Sequence, residues 1–284
     1  MKIDGSTRVF FAAADPVAQV RAPEVFNRVF SDLGINAVMV PLHLKTEYFE
    51  ATIRALMRSS NVGGFCLSIP HKPIAAAMVE QCSDNARIAK AVNAIRVHEN
   101  GSLEGDLFDG RGFISLLERH HFPYVGKRVL LIGAGGAASA IATMLAGSHV
   151  AEIGIYDPDT AKAQALSKLI CAHYAVPSVA VQDNNPESFD LIVNASPMGL
   201  KANDPLPCDV ALMKKDANVV DILMKNQPTP WLQAARARGL AAQPGFDMLI
   251  LQTALYLDFF GYPEAAASLR RDDNIVRALL IPPT

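Results

Sequence analysis

The chain has 284 residues, half of them hydrophobic, with 26 Lys and Arg against 28 Asp and Glu and a formal net charge of −2. That length holds one large domain or two modest ones with proper cores, and the near-neutral balance excludes a broad nucleic-acid surface. Cys66, Cys82, Cys171 and Cys208 are widely spaced with no Cys-x-x-Cys pair, which excludes the usual zinc and dithiol motifs and is read as reduced core thiols of a cytoplasmic protein.

The opening residues "MKIDGSTRVF" carry no signal-peptide core. "RVFFAAA" then reads as a strand and "AQVRAPEVF" (residues 18–26) as the corner where a helix begins, offering only Gln19 and Arg21 among small apolar residues. "NAVMVPL" and "GGFCLSI" follow as strands in the first part. "RVLLIG", "EIGIYD", "SVAVQ", "LIVNAS", "NVVDIL" and "AAQPG" follow in the second. Strands alternating with helical patterns predict parallel sheets wound in the βαβ manner. The apolar stretch "RVLLIGAGGAASAIATMLAG" nears membrane length, but its glycines mark a buried strand and helix instead. Composition changes across residues 105–126, the expected boundary between two α/β units. The stretch from "GFDMLILQTALYLDFFGY" onward is helical and amphipathic, and either returns to the first unit or ends the second.

The most specific nucleotide motif is "KRVLLIGAGGAASAIATML". Gly133, Gly135 and Ala138 fall at G-x-G-x-x-G/A spacing between a β-rich run and a helical pattern. This arrangement suits a tight turn, close approach of backbone to a pyrophosphate, and phosphate at a helix N-terminus. Ala134, Gly136 and Ala137 complete the expected loop. The next strand ends at Asp157, where a carboxylate can accept from the adenosine 2′-hydroxyl and repels a 2′-phosphate. NAD is therefore expected over NADP, with an ordinary Asp-Pro turn residue as the alternative.

"CLSIPHKP" places Lys72 beyond the carboxyl end of a β-rich run, on the face where open α/β sheets collect ligands. A lysine there can hydrogen-bond a hydroxyl and take its proton as hydride leaves the same carbon. On its own it is more often a solvated surface lysine than a catalyst, just as Asp109 in "DLFDGRGF" taken alone is an ordinary turn aspartate beside a glycine. His71 is read as a loop residue and His120-His121 as a solvated helix end, neither belonging to a metal set.

Seven blocks, "SIPHK", "AVNAI", "DGRGF", "IGAGGAA", "NASPMG", "DILMKNQPTPWL" and "GFDMLILQ", occur in an order and spacing that resemble the shikimate/quinate dehydrogenase family over nearly the whole chain. The resemblance implies an α/β fold of two domains. An N-terminal substrate-binding and catalytic domain (1–108 and 245–284) would be joined to a Rossmann NAD-binding domain (109–244), with the C-terminal helices returning to the first. It implies reversible hydride transfer between a ring alcohol or ketone and a nicotinamide. Lys72 matches the catalytic lysine, and Asp109 the aspartate that meets the same hydroxyl and orients that lysine. Ser68, Asn93 and Gln252 match substrate contacts. Asn194, Ser196, Met198, Leu223 and Gly245 fall among the implied cofactor contacts.

Other positions depart from that pattern. The family carries Ser-x-Ser before a proline to bind the substrate carboxylate; aligning Pro23 puts Val20 and Ala22 at those positions. Met224 stands where a tyrosine contacts the acid end, Leu107-Phe108 replace Asn-Thr, and Cys66 replaces an asparagine. Two lost hydrogen bonds to a charged group cost about 3–6 kcal/mol. That corresponds to about 10²–10⁴ in affinity for shikimate or quinate. Arg21 is a potential replacement, but in an extended segment it faces away from Val20 and Ala22 and is read as solvent-exposed. The leading expectation is an NAD-dependent dehydrogenase of a small cyclic hydroxy compound, monomeric or homodimeric, without nucleic-acid or membrane partners. The alternatives are shikimate dehydrogenation with a rebuilt acid site and a non-catalytic NAD or metabolite sensor on the same scaffold.

Overall fold

In the computed structural model, residues 2–201 and 203–281 are described. The chain divides into two compact units, one comprising residues up to Phe108 together with those from Ile250 onward, the other Asp109–Leu249.

The first unit opens with β1 (Arg8–Ala14), α1 (Ala22–Asp32), β2 (Ala37–His43), α2 (Phe49–Leu56), β3 (Val62–Leu67) and α3 (Lys72–Met78). It continues with β4 (Gln81–Cys82), α4 (Asp84–Ala89), β5 (Ala94–Val97) and β6 (Leu103–Asp106). Its sheet runs β2-β1-β3-β5-β6-β4. Helix α1 starts with a proline in its first turn and buries Val25, Phe26, Val29 and Phe30 on one face. Gly63 is required beside that core, because a Cβ there would stand 2.3 Å from the Phe10 ring.

The parallel expectation fails on one side of this sheet. β5 pairs antiparallel with both β3 and β6, so the sheet is mixed. β4, β5 and β6 carry no apolar run long enough to read as strands. The β5–β6 hairpin is held by a polar pair instead: Arg96 lies opposite Glu104 in register, and its Nε donates to the carboxylate at 2.6 Å.

The second unit contains α5 (Asp109–Arg119), β7 (Arg128–Ile132), α6 (Gly136–Gly147), β8 (Glu152–Tyr156), α7 (Thr160–His173) and β9 (Ser178–Ala180). β10 (Leu191–Asn194), β11 (Asn218–Asp221), α8 (Pro230–Ala237) and β12 (Ala241–Pro244) follow. Its sheet, β12-β11-β10-β7-β8-β9, is parallel throughout. The four apolar residues Val129–Ile132 in β7 are fully buried, as a strand covered on both faces demands. α5 packs on α6 at backbone distance: a Cβ on Gly110 would fall 2.2 Å from the Ala140 carbonyl oxygen.

The chain ends with α9 (Phe246–Phe259), α10 (Pro263–Arg271) and α11 (Asn274–Leu280). Tyr256, Phe260 and Tyr262 interlock with Phe10, Phe26 and Phe30 of the first unit; the Phe10–Phe260 centroids are 4.7 Å apart. The division falls after Leu249, not at residue 245. Gly245 N–H bonds the Asp221 carbonyl at 2.7 Å and Asp247 bonds His120 at 2.7 Å, holding these residues with the second unit.

Among the described residues no helix is long and apolar enough to cross a membrane. Cys66 and Cys208 are core thiols as expected, whereas Cys171 is exposed. Burial pushes the Cys208 thiol up to about 12.

Candidate active site

In the first unit Ser68, Lys72 and Asn93 lie at the carboxyl end of β3. Ser68 follows β3, its N–H bonding the Ala13 carbonyl at 3.0 Å, and its own carbonyl accepts from His71 N–H at 2.9 Å. That turn brings Lys72 to the start of α3, half-buried. The Lys72 carbonyl accepts from Val92 N–H at 2.9 Å, which joins the lysine loop to the segment carrying Asn93.

Asn93 is 1 % exposed. Its Oδ1 accepts from Phe108 N–H at 3.0 Å, and its carbonyl accepts from the Tyr256 hydroxyl at 3.1 Å. The amide is thereby oriented, yet its buried Nδ2 has no protein partner. Gln252 lies one turn before Tyr256 on α9, is 6 % exposed, and leaves its buried Oε1 unpartnered. A buried donor and a buried acceptor, each without a mate, are what a hydroxylated ligand would complete.

His71 is not an ordinary loop residue. It is fully buried, stacks on Phe49 with centroids 4.5 Å apart, and neither ring nitrogen has a hydrogen-bond partner. Burial holds its pKa below the usual imidazole value, against smaller opposing contributions from the Leu44 backbone and Asp15.

The segment before α1 is also not extended. Val20 N–H closes a turn on the Val17 carbonyl at 3.0 Å, and Arg21 is helical at φ −99°, ψ −7°, so the alternation that turned Arg21 away does not apply. Its direction is set by partners: Nε and Nη2 donate to Glu24 at 3.0 and 2.9 Å, and Nη2 also donates to the Leu279 carbonyl at 2.8 Å. Val20 and Ala22 are half-buried. Leu107 and Phe108 are core residues, Phe108 packing edge-on against Tyr256. Cys66 is buried in β3, its thiol pushed well up by desolvation.

In the second unit the glycine loop links β7 to α6. Gly133 has φ +108°, and a Cβ there would lie 2.7 Å from the Ala195 carbonyl oxygen. Gly135 caps α6 with no side-chain hydrogen bond, and added Cβ atoms at Gly135 and Gly136 would meet nothing within 4 Å. Helix N–H groups beside open space at a glycine cap fit a dinucleotide pyrophosphate. Ala138 is fully buried against the sheet.

Asp157, just past β8, accepts from Ala134 N–H at 2.8 Å and from Asp159 N–H at 2.9 Å. It therefore anchors the glycine loop as well as standing at the expected ribose position. The nearby cation Lys162 is paired with Asp159 at 3.3 Å. Asn194 ends β10 and Ser196 follows it, both buried, with half-buried Met198 beyond them; Leu223 and Met224 are half-buried after β11. Gly245 is buried against the backbone of Ile222, 2.6 Å from where its Cβ would be.

Lys72 belongs to the first unit, and Asp109, 7 % exposed, opens the second at the start of α5. His120 is not a solvated helix end, for it bonds the buried carboxylate of Asp247, which also lies 3.7 Å from Arg119. The two are 127 residues apart in sequence, and no local signal announces their contact. Among the described residues no cluster of His, Cys, Asp and Glu could hold a metal ion.

A family described as the shikimate dehydrogenase substrate binding domain matches residues 12–95. The shikimate dehydrogenase (NADP(+)) of Rubrobacter xylanophilus is 35% identical over 255 residues, 88% of this chain and 89% of that one. Two solved structures share the fold. The ligand-free 5-ketofructose reductase of Gluconobacter sp. strain CHM43 has a TM-score of 0.82 at 25% identity, covering 93% of this chain and 98% of that one. Shikimate 5-dehydrogenase from Listeria monocytogenes, bound to shikimate and NAD, has a TM-score of 0.86 at 22% identity, covering 99% of each chain.

Proposed function

The chain belongs to the shikimate dehydrogenase family, and from that premise we propose an NAD-preferring dehydrogenase that moves hydride reversibly between a cyclic hydroxy compound and the nicotinamide. Oxidoreduction of the shikimate/quinate dehydrogenase type is common ground with the relatives. Substrate and cofactor preference are this chain's own.

The observation that carries the reading is the pair of buried, unpartnered amide atoms, Asn93 Nδ2 and Gln252 Oε1. Leaving each unpaired costs about 1–3 kcal/mol, which a hydroxylated ring recovers by accepting from one and donating to the other. Lys72 then takes the hydroxyl proton during oxidation and returns it during reduction. Asp109, at the start of α5, matches the aspartate of the family pattern. The Gly133–Ala137 loop would hold a dinucleotide, which when bound would supply the hydride acceptor.

NAD is favoured by the carboxylate of Asp157 just past β8, which opposes a 2′-phosphate. The Rubrobacter relative is named for NADP(+), so this preference distinguishes the present chain from it. A substrate without a carboxylate is favoured by Val20 and Ala22 in place of hydroxyls and by the engagement of Arg21. The 5-ketofructose reductase, named for a keto sugar, is a fold relative in keeping with such a substrate.

The test is a panel of cyclic alcohols, shikimate and quinate included, offered with NAD and with NADP. Reduced cofactor with at least one alcohol, and faster with NAD, is expected. No reduced cofactor with any alcohol would favour the sensor alternative and overturn the reading.

A further inference from the structure

In the second unit two neighbouring strands end on buried polar residues that hold each other. Asn194 ends β10, Asp221 ends β11, and the two are paired in register; neither has any exposed surface. Oδ1 of Asp221 accepts from Asn194 Nδ2 at 3.0 Å and from Leu223 N–H at 3.2 Å, while Oδ2 accepts from the Thr229 hydroxyl at 2.8 Å. Asn194 extends the chain of bonds: its Oδ1 accepts from the Ser196 hydroxyl at 2.6 Å, and its Nδ2 donates to the Met198 carbonyl at 3.0 Å. One carboxylate thus fixes the loop after β10 and the loop after β11 together.

A folding role alone is a poor account of this carboxylate. Its hydrogen-bond partners are neutral, and burial pushes its pKa up while those bonds oppose the rise. Burying such a charge is costly, and an apolar residue at a strand end would be cheaper for stability. What an apolar residue would not do is hold two loops in one fixed shape.

The sheet order says what that shape serves. β7 carries the glycine loop, with β8 and Asp157 on one side and β10 and β11 on the other. In an open parallel sheet the ligand crosses the carboxyl ends where strand order reverses. The adenosine half falls toward β8, so the other half of the dinucleotide falls toward β10 and β11.

We propose that Asp221, with Thr229, is a positioning residue that sets the loops after β10 and β11 into the shape that receives the nicotinamide end of the dinucleotide. This rests on the second unit being the dinucleotide site, and goes beyond it by assigning a role to two residues that need not touch the cofactor.

The test compares Asp221→Ala, Asp221→Asn, Thr229→Val and Thr229→Ser. It reads the Kd for NADH from the fluorescence of the reduced cofactor, the Tm without cofactor, and separate KM values for NAD and the alcohol. Asp221→Asn keeps an acceptor for Asn194 and Leu223 while the Thr229 hydroxyl turns to accept, so its Kd is expected to stay within about fivefold of wild type. Asp221→Ala is expected to weaken NADH by about tenfold or more, raising KM for NAD and leaving KM for the alcohol nearly unchanged. Thr229→Val is expected to weaken NADH in the same sense and Thr229→Ser to restore it. These two decide the matter should Asp221→Ala fail to fold. Wild-type Kd in Asp221→Ala or Thr229→Val, or a fall in Tm alone, overturns the proposal. A wild-type protein that binds no NADH overturns the dinucleotide reading itself, a separate result.

Discussion

The Asp157 carboxylate accepts a hydrogen bond from the Ala134 backbone amide at 2.8 Å, so the residue at the end of β8 also braces the glycine loop. Its charge and its bracing can be separated. Asp157→Asn removes the charge but keeps an acceptor for the loop. Losing hydrogen bonds from ribose hydroxyls to a charged group costs about 1.5–3 kcal/mol. kcat/KM for NAD should therefore fall about 10–100-fold, with the NADP value unchanged or raised. Asp157→Ala should lower both values, because the loop loses its brace as well. Equal NAD to NADP ratios in wild type and Asp157→Asn would refute the assignment.

Lys72 is assigned the proton of the substrate hydroxyl. Lys72→Met keeps the aliphatic stem and deletes the ammonium, so turnover should fall by at least about 10²–10⁴, the usual worth of general acid–base catalysis. NADH should bind as in wild type, since the glycine loop lies in the other unit. Loss of binding and turnover in equal measure would contradict the role.

The buried His71 predicts a stability that declines in acid. Its folded-state pKa is held below the ordinary 6.5 by burial, so in the window beneath that value the unfolded chain binds a proton that the folded chain does not. Stability then rises with pH across the window and is flat above it. The slope is at most about 1.4 kcal/mol per pH unit for one proton. His71→Phe, which keeps the stack on Phe49, should lose this component. Urea midpoints followed from about pH 8 to pH 5 check it: parallel curves for the two proteins would show that His71 does not titrate as described.

These expectations show where the sequence was readable. The glycine loop and Asp157 were legible because turn, strand end and helix start are contiguous, and each fixes a backbone geometry. Lys72 and Asn93 are singled out only by the family blocks, since a lysine after Pro-His is locally ambiguous. The β5–β6 hairpin was not legible, its strands being four residues long and joined by Arg96 and Glu104. Nor was the Asp221–Asn194–Thr229 network, or the His120–Asp247 pair: each depends on contacts between distant segments. Gly110 is the same case, its lack of a side chain explained only by the Ala140 carbonyl of another helix. The extended segment expected around Arg21 is a turn at Val17–Val20 that feeds directly into α1, and the direction of the guanidinium follows from Glu24 and the Leu279 carbonyl instead.

Arg21 bears on the identity of the substrate. Its guanidinium is shared between Glu24 and the Leu279 carbonyl, and reaching a ligand would require giving up both. With Val20 and Ala22 offering no hydroxyl, the loop before α1 then supplies no replacement for the serines that bind the carboxylate in the family. Arg21→Ala should accordingly change KM for shikimate by less than about twofold, while the lost surface pair costs at most about 1 kcal/mol of stability. Wild-type kcat/KM for a decarboxylated analogue should equal or exceed that for shikimate, because only an acid-binding site gains from the carboxylate. A preference for shikimate of about tenfold, equivalent to about 1.4 kcal/mol, that disappears in Arg21→Ala would instead make Arg21 the rebuilt acid site.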